Sequence, residues 1–405
     1  MSGSLANPVP PPSAQEIQGL LRGVIDPELG SDIVDLGMVK RVDVSPEGDV
    51  TVSIALTTTG CPLRAQIQKD IRARVGSLPG VRSTHLNWTE LSSEEKSAAM
   101  ARARWNAREN APATMVPPTT KVLAIGSGKG GVGKSSITVN LAVALALRGL
   151  RVGVMDADIW GFSVPRMLGL EGRLRGTMAD DQRKQIIPLR TSIGDGELEV
   201  VSMGLLVEDE ESALMWRGLM LNRAVQHFLE DVQWGDLAYL LIDLPPGTGD
   251  VQMGLARLLP RSDMIVVTTP ALAAQKVAAR AVNMARKCYL RVAGIIENMS
   301  EFTCEHGTTY RLFGAGGGEA LARAAGAPLL GQVPLEPAVA SGADDGRPVA
   351  LGEGVAAEAF RAIAERIVTD AAPPVDMASC SARLLDAAIA ALDAAPTGVD
   401  TSTAT

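Results

Sequence analysis

The run Gly128-Lys129-Gly130-Gly131-Val132-Gly133-Lys134-Ser135 satisfies G-x-x-x-x-G-K-[ST]. Glycines in such a loop let backbone N–H groups curl around phosphate oxygens, and the helix that follows adds favourable partial charge at its N-terminus. Lys134 is placed to reach the β- and γ-phosphates of a nucleotide, and the Ser135 hydroxyl suits Mg²⁺; Ser136 extends the phosphate-facing stretch. Two further segments can complete the chemistry. Leu240-Leu241-Ile242-Asp243 is an apolar strand ending in a carboxylate, the position of a Mg²⁺-linked aspartate, and it runs into the Gly/Pro loop Leu244–Asp250, which could sense a γ-phosphate. Val154-Met155-Asp156-Ala157-Asp158 ends another strand with two carboxylates, one to hold Mg²⁺ through water and one to orient the attacking water. A single strand-end Asp is often only a helix cap. Three such carboxylates in one nucleotide-binding sheet point to catalysis.

The elements that must position these residues are legible from texture. From Lys121 onward, short apolar runs at Val122–Gly126, Val152–Met155, Tyr239–Ile242, Met264–Thr268 and Val292–Ile296 read as buried strands. Helical spacing lies between them, as in Ile137, Leu141, Ala144 and Leu145. Repeated βα units predict an α/β fold, a doubly wound and mostly parallel sheet carrying the P-loop, over residues 121–372. Ahead of it, 15–90 reads as a small α+β domain. Its expected parts are a helix over Ala14–Val24, a turn at Pro46–Asp49, a strand with alternating Val50, Val52, Ile54 and Leu56, a helix after Cys61-Pro62 with Ile67, Ile71 and Val75 on one face, and a strand near Val81–Trp88. Residues 91–120 have linker composition with a helical first half, 1–14 read as disordered, and 373–405 as a flexible tail.

Composition narrows the function. The 405 residues suggest two or three domains at about 150 residues each. Lys and Arg number 38 against 46 Asp and Glu, a net charge of −8, so general binding to nucleic acid or anionic lipid is not expected. In the tail, Leu384, Leu385, Ala388, Ile389 and Leu392 could line a helix face, but Asp386 and Asp393 outweigh Arg383, against a membrane anchor. The N-terminus has no basic start or apolar core of a secretory signal, and no apolar run reaches the roughly 18 residues of a membrane span. Four scattered cysteines, Cys61, Cys288, Cys304 and Cys380, make no disulfide framework. The expected setting is cytoplasmic. Cys288 and Cys380 read as structural or incidental, and His85 and His227 have no metal spacing.

Lys129, directly after the first glycine, resembles the hallmark of the deviant P-loop ATPases related to MinD, ParA and the nitrogenase iron protein. Within that class, Asp156–Gly169, Trp216–Gly218, Asp243–Asp250 and Glu297–Ser300 look like the Mrp/ApbC family of iron–sulfur cluster carriers, over about 121–350. Asp26–Gly30, Asp35–Val39 and Thr57–Pro62 are similar to the small SufT/PaaD-type domain that accompanies many bacterial Mrp proteins. The resemblance implies a homodimer sandwiching ATP, with Lys129 reaching toward the partner's nucleotide and Asn298 reading the adenine. It also implies slow ATP hydrolysis through Lys129, Lys134, Asp158 and Asp243, and delivery of a cluster, [4Fe–4S] in type, to apo iron–sulfur proteins and assembly factors. Cys61, at an expected helix N-terminus that favours the thiolate, reads either as a cluster-handling thiol or as a small buried hydrophobe.

The family holds its cluster with C-x-x-C after the Asn-Met-Ser loop, so that a dimer offers four thiolates. Here Cys304 stands at the expected place, but position 307 is glycine and Cys288 is too far back to replace it. His306 could add nitrogen ligands, Cys61 could swing in, small thiols could cap exposed irons, or the cluster could bind transiently. Two rivals follow: a MinD/ParA-like positioning ATPase, and an ATP-gated protein-binding module without a stable cluster.

Overall fold

The structure, a computed structural model, describes residues 10–26, 29, 31–56, 64–108, 114–158, 161–178, 184–205, 218–247 and 250–375. Cys61, Cys380, the first nine residues, Trp216, Thr248, Gly249 and the tail positions 384–392 lie outside the described residues.

Ser13 fixes where the first helix begins. Its hydroxyl accepts the Glu16 N–H at 3.2 Å while the Glu16 carboxylate accepts the Ser13 N–H at 2.7 Å, a reciprocal cap. Helix α1 (Ala14–Leu21) buries Ile17, Leu20 and Leu21. It stops short of the expected Val24 at Gly23, whose missing side chain makes room for the Arg74 guanidinium and the Pro260 carbonyl. Strands β1 (Val39–Val44) and β2 (Asp49–Leu56) form an antiparallel hairpin through Gly48 at φ +88°, and Val50, Val52 and Ile54 point into the core. Strand β1 was not expected. It is an edge strand whose Lys40, Arg41 and Asp43 interrupt any apolar alternation. Helix α2 (Arg64–Gly76) buries Ile67, Ile71 and Val75, β3 (Ser83–Glu90) pairs parallel with β2, and α3 (Ser93–Arg108) follows.

The large sheet starts with β4 (Lys121–Ser127), followed by α4 (Lys134–Ala146), β5 (Arg151–Asp156), β6 (Leu189–Ile193), β7 (Gly196–Ser202), α5 (Gly218–Glu230), β8 (Tyr239–Asp243), α6 (Asp250–Leu258), β9 (Asp263–Thr268), α7 (Leu272–Lys287) and β10 (Arg291–Asn298). The ribbon β11 (Phe302–Thr303) and β12 (Thr309–Tyr310) then leads to α8 (Gly317–Ala325), β13 (Leu329–Val333), α9 (Pro337–Asp344) and α10 (Val355–Arg366). The order β6-β7-β5-β8-β4-β9-β10-β13 is parallel throughout except for β6, which runs antiparallel to β7 at the edge. Central strands such as β8 are wholly buried, so they read as unbroken apolar runs. Three apolar cores, two on one face and one on the other, sandwich the sheet between helices. Strands β6, β7 and β13 carry no such run: Glu197 and Glu199 break β7, and glycine breaks β13.

The small domain seats α2 against the edge where the parallel strands begin. Lys121 Nζ meets Asp70 at 2.9 Å, Arg74 meets Asp263 at 3.2 Å, and Arg74 Nη2 donates to the Arg261 carbonyl at 2.7 Å. Among the described residues no helix is long and apolar enough to cross a membrane.

Candidate functional site

Strand β4 ends at Ser127 and α4 starts at Lys134, so the glycine-rich loop lies at the carboxyl ends of the strands, where open α/β sheets bind ligands. Three glycines are needed, for two different reasons. Gly131 and Gly133 sit at φ +79° and +81°, a backbone that side chains resist. Gly128 packs so tightly that a Cβ would lie 2.2 Å from the Val277 backbone of α7. The Ser127 hydroxyl donates to the Lys129 carbonyl at 3.0 Å, bracing the loop from within. Gly130, Gly131 and Lys129 are exposed, so the crest of the loop is open to a ligand or to a second molecule.

Lys134 is buried amid carboxylates. Its Nζ lies 2.8 Å from Asp243 Oδ2 and 3.8 Å from Asp158 Oδ2. Asp243, at the end of β8, also accepts the Ser135 hydroxyl at 2.6 Å and the Thr138 hydroxyl at 2.7 Å. The sequence motifs pass over Thr138, yet its i+4 spacing from Lys134 puts it on the same helical face. Asp156, wholly buried at the end of β5, accepts from the N–H groups of Asp158, Ser163 and Val164 and from the Ser202 hydroxyl at 3.0 Å. Burial, followed by repulsion from Asp243, pushes its carboxyl up to about 7 despite Lys134. Burial likewise raises Asp158, against the pull of Lys134. Ser202 escapes sequence reasoning because β7 itself does.

The loop after β8 is pinned at two points: Gly247 N–H donates to the Ser127 carbonyl at 3.1 Å, and Gln252 Nε2 donates to the Gly247 carbonyl at 2.6 Å. Asn298, at the end of β10, donates through Nδ2 to the Val132 carbonyl of the glycine-rich loop at 2.9 Å. The structure therefore brings Gly128, Lys129, Gly130, Gly131, Val132, Gly133, Lys134, Ser135, Asp156, Asp158, Asp243 and Asn298 to one end of the sheet. Ser136 stands slightly apart: its hydroxyl is buried with no hydrogen-bond partner, while its carbonyl accepts from Asn140. Ser135 and Asp243 are hard oxygen donors in direct contact with each other, a set that fits Mg²⁺.

Cys304 lies six residues beyond Asn298, at the start of the turn joining β11 and β12. Its N–H donates to the Thr308 carbonyl at 3.0 Å, and Gly307 N–H donates to the Cys304 carbonyl at 2.9 Å. Gly307 adopts φ +79°, so the residue in place of the second cysteine is a turn glycine. The thiol is a free one, held below the ordinary thiol range chiefly by the His306 backbone N–H. Phe302 and Tyr310 stack across the ribbon at 6.5 Å. Among the described residues, no three His, Cys, Asp or Glu side chains converge as a metal-ligand set.

A profile for the NUBPL iron-transfer P-loop NTPase matches residues 118–368, and one for an iron–sulfur cluster assembly protein matches 14–87. This chain belongs to the iron-transfer P-loop NTPase family. A Mycobacterium tuberculosis protein named iron–sulfur cluster carrier protein is 44% identical over 342 residues, 83% of this chain and 87% of that one. Its namesake in Deinococcus radiodurans is 43% identical over 351 residues, 86% of this chain and 92% of that one. Among solved structures, a nucleotide-binding protein from Archaeoglobus fulgidus in complex with ADP is 35% identical, covering 56% of this chain and 86% of its own, at a TM-score of 0.47. Membership of this family makes the glycine-rich loop an NTPase P-loop.

Proposed function

We propose that this chain is an ATP-hydrolysing iron–sulfur cluster carrier that works in the cytoplasm as a homodimer and passes clusters, [4Fe–4S] in type, to apo-proteins. The observation that carries the reading is the contact between Asn298 and the Val132 carbonyl. It ties the nucleotide loop to the strand that runs directly into Cys304, so a change at the phosphates has a short path to the thiol. The relatives named as cluster carriers support the same cargo.

Lys134, now neutralised by Asp243 and Asp158, turns to the β- and γ-phosphates when nucleotide enters. Ser135 and Asp243 would hold Mg²⁺, with Asp156 behind them. Bound there, Mg²⁺ supplies charge neutralisation on the phosphate oxygens. Asp158 positions the attacking water, and Lys134 with the partner-directed Lys129 stabilises charge on the transferred phosphoryl. Asn298 keeps Oδ1 to accept from the adenine amino group. The Gly247 loop, pinned to Ser127 and Gln252, releases when the γ-phosphate leaves and alters the face bearing Cys304. Tyr310, Leu312 and Phe313, 48%, 60% and 43% exposed beside Cys304, give a second copy an apolar face to cover. Two Cys304 thiolates across such a dimer bind the cargo, with the remaining iron sites left for exchange.

Anaerobic reconstitution with iron and sulfide tests this, comparing wild type with Cys304→Ala. Stoichiometric iron and a visible cluster spectrum, both lost in the variant, are expected. A colourless wild-type protein that still hydrolyses ATP would mean an ATP-gated protein-binding module instead.

A further inference from the structure

The seam between the small domain and the sheet runs against the charge of the chain. The protein carries −8 overall, yet among the described residues Arg72, Arg74, Lys121, Arg261, Arg291 and Arg366 gather here with Asp70, Asp263 and Asp370. Asp70 answers Lys121, Asp263 is shared by Arg74 and Arg291, and Arg261 donates to the carbonyls of Val116 and Pro117. Beside this seam opens a cavity of about 560 Å³, walled by Arg72 of α2, by Arg291 at the start of β10, by Arg366 at the end of α10 and by Asp370 just beyond it. Its floor is apolar, formed by Leu329 and Leu330.

The guanidinium groups are not equally committed. Arg291 is fixed by Asp263, through Nε at 3.1 Å and Nη2 at 2.5 Å, and by the Ala371 carbonyl at 2.6 Å. Arg366 gives Nη1 to the carbonyls of Leu329 and Leu330, which holds its plane steady without neutralising it. Arg72 is exposed, and among the described residues neither Arg72 nor Arg366 pairs with a carboxylate. Arg366, steadied by two carbonyls, and the exposed Arg72 beside the apolar side chains of Leu329 and Leu330 offer guanidinium N–H groups that match phosphate or carboxylate oxygens on a small organic body. The volume falls in the range of small-ligand sites, about 300–1,000 Å³.

We propose that this cavity binds a small organic anion bearing two or more phosphate or carboxylate groups. Because Arg72 comes from the small domain and Arg291 and Arg366 from the ATPase, the bound anion clamps the two together. The site is distinct from the nucleotide site, at the opposite end of strands some seven residues long, roughly 20 Å away. It gives a metabolite a handle on how the small domain is held.

Citrate and pyrophosphate, titrated by calorimetry into the full chain in Mg²⁺-free buffer at fixed ionic strength, test the proposal and tell a carboxylate from a phosphate preference. The expected result is a saturable site for at least one probe, weakened tenfold or more by Arg72→Glu, with the variant's ADP affinity and probe-free melting temperature unchanged. Arg366→Gln should weaken the same site. The P-loop does not contain Arg72, so pyrophosphate bound there is unaffected and identifies itself. Binding of both probes that is absent, or that is the same in wild type, Arg72→Glu and Arg366→Gln, overturns the proposal.

Discussion

Replacing Asp263 by asparagine removes one negative charge from between two buried arginines while keeping the shape of the side chain. The side chains of Asp263, Arg74 and Arg291 are each less than one-tenth exposed. The carboxylate makes three charge-assisted contacts, two to Arg291 and one to Arg74 across the domain seam. Breaking a buried pair from one side strands the remaining charge and costs about 3–5 kcal/mol. For a unit the size of the P-loop NTPase domain, each kcal/mol lowers the melting temperature by about 2–4 °C, so Asp263→Asn should melt about 6–20 °C below wild type. Arg74→Met is the contrast. Arg74 Nη1 is already buried without a partner, and Asp263 retains its fork to Arg291, so this variant should lose less than half as much. The acid dependence has a definite sign. Burial pushes the Asp263 carboxyl up, but Arg291 and Arg74 together pull it further down, below the ordinary 3.8. A lowered folded-state value stabilises the fold above about pH 4 and is lost as pH falls through that value. The gap between wild type and Asp263→Asn should therefore hold from pH 8 to 5 and close only in stronger acid. Scanning calorimetry across that range decides it; a shift below 2 °C at pH 7, or a larger loss in Arg74→Met, would refute the reasoning.

Gly133→Ala forces a side chain onto φ +81° and to within 2.2 Å of Asn298 Nδ2, so it should cut affinity for a fluorescent ATP analogue at least a hundredfold, read by anisotropy. The Asp156 carboxyl, pushed up to about 7, keeps its proton when the unfolded chain has lost it, so folding stability should decline as pH rises from about 4 to 7. Asp156→Asn should flatten that decline in a series of thermal melts, and an unchanged slope would count against a buried, protonated Asp156. Tyr239 donates its buried hydroxyl to the Ala372 carbonyl at 2.8 Å, so Tyr239→Phe should cost about 1–3 kcal/mol in urea unfolding by leaving that carbonyl unpaired.

The amino-acid sequence by itself determined the phosphate loop, the strand-end carboxylates and the parallel character of the sheet. Gly128–Ser135 is a local device whose backbone geometry is encoded residue by residue, and buried strands such as β8 write themselves as unbroken apolar runs. Helix α2 was equally legible, because Ile67, Ile71 and Val75 recur at helical spacing. Edge and polar strands were not. β1 and β6 are polar hairpin arms held in place by the strand that follows each, β7 pairs with the distant β5, and a charged residue such as Glu199 is tolerated in β7 because Arg151 and Arg190 reach it. Tertiary structure alone decided that Thr138 and Ser202 brace the aspartates, since neither hydroxyl belongs to a local motif and each meets its carboxylate only when separate elements, α4 with β8 and β7 with β5, come together. It also decided that α2 docks where the strands begin. The pairs Asp70–Lys121 and Arg74–Asp263 join residues 51 and 189 positions apart, and burial, which makes those charges choose partners, exists only once the chain has folded.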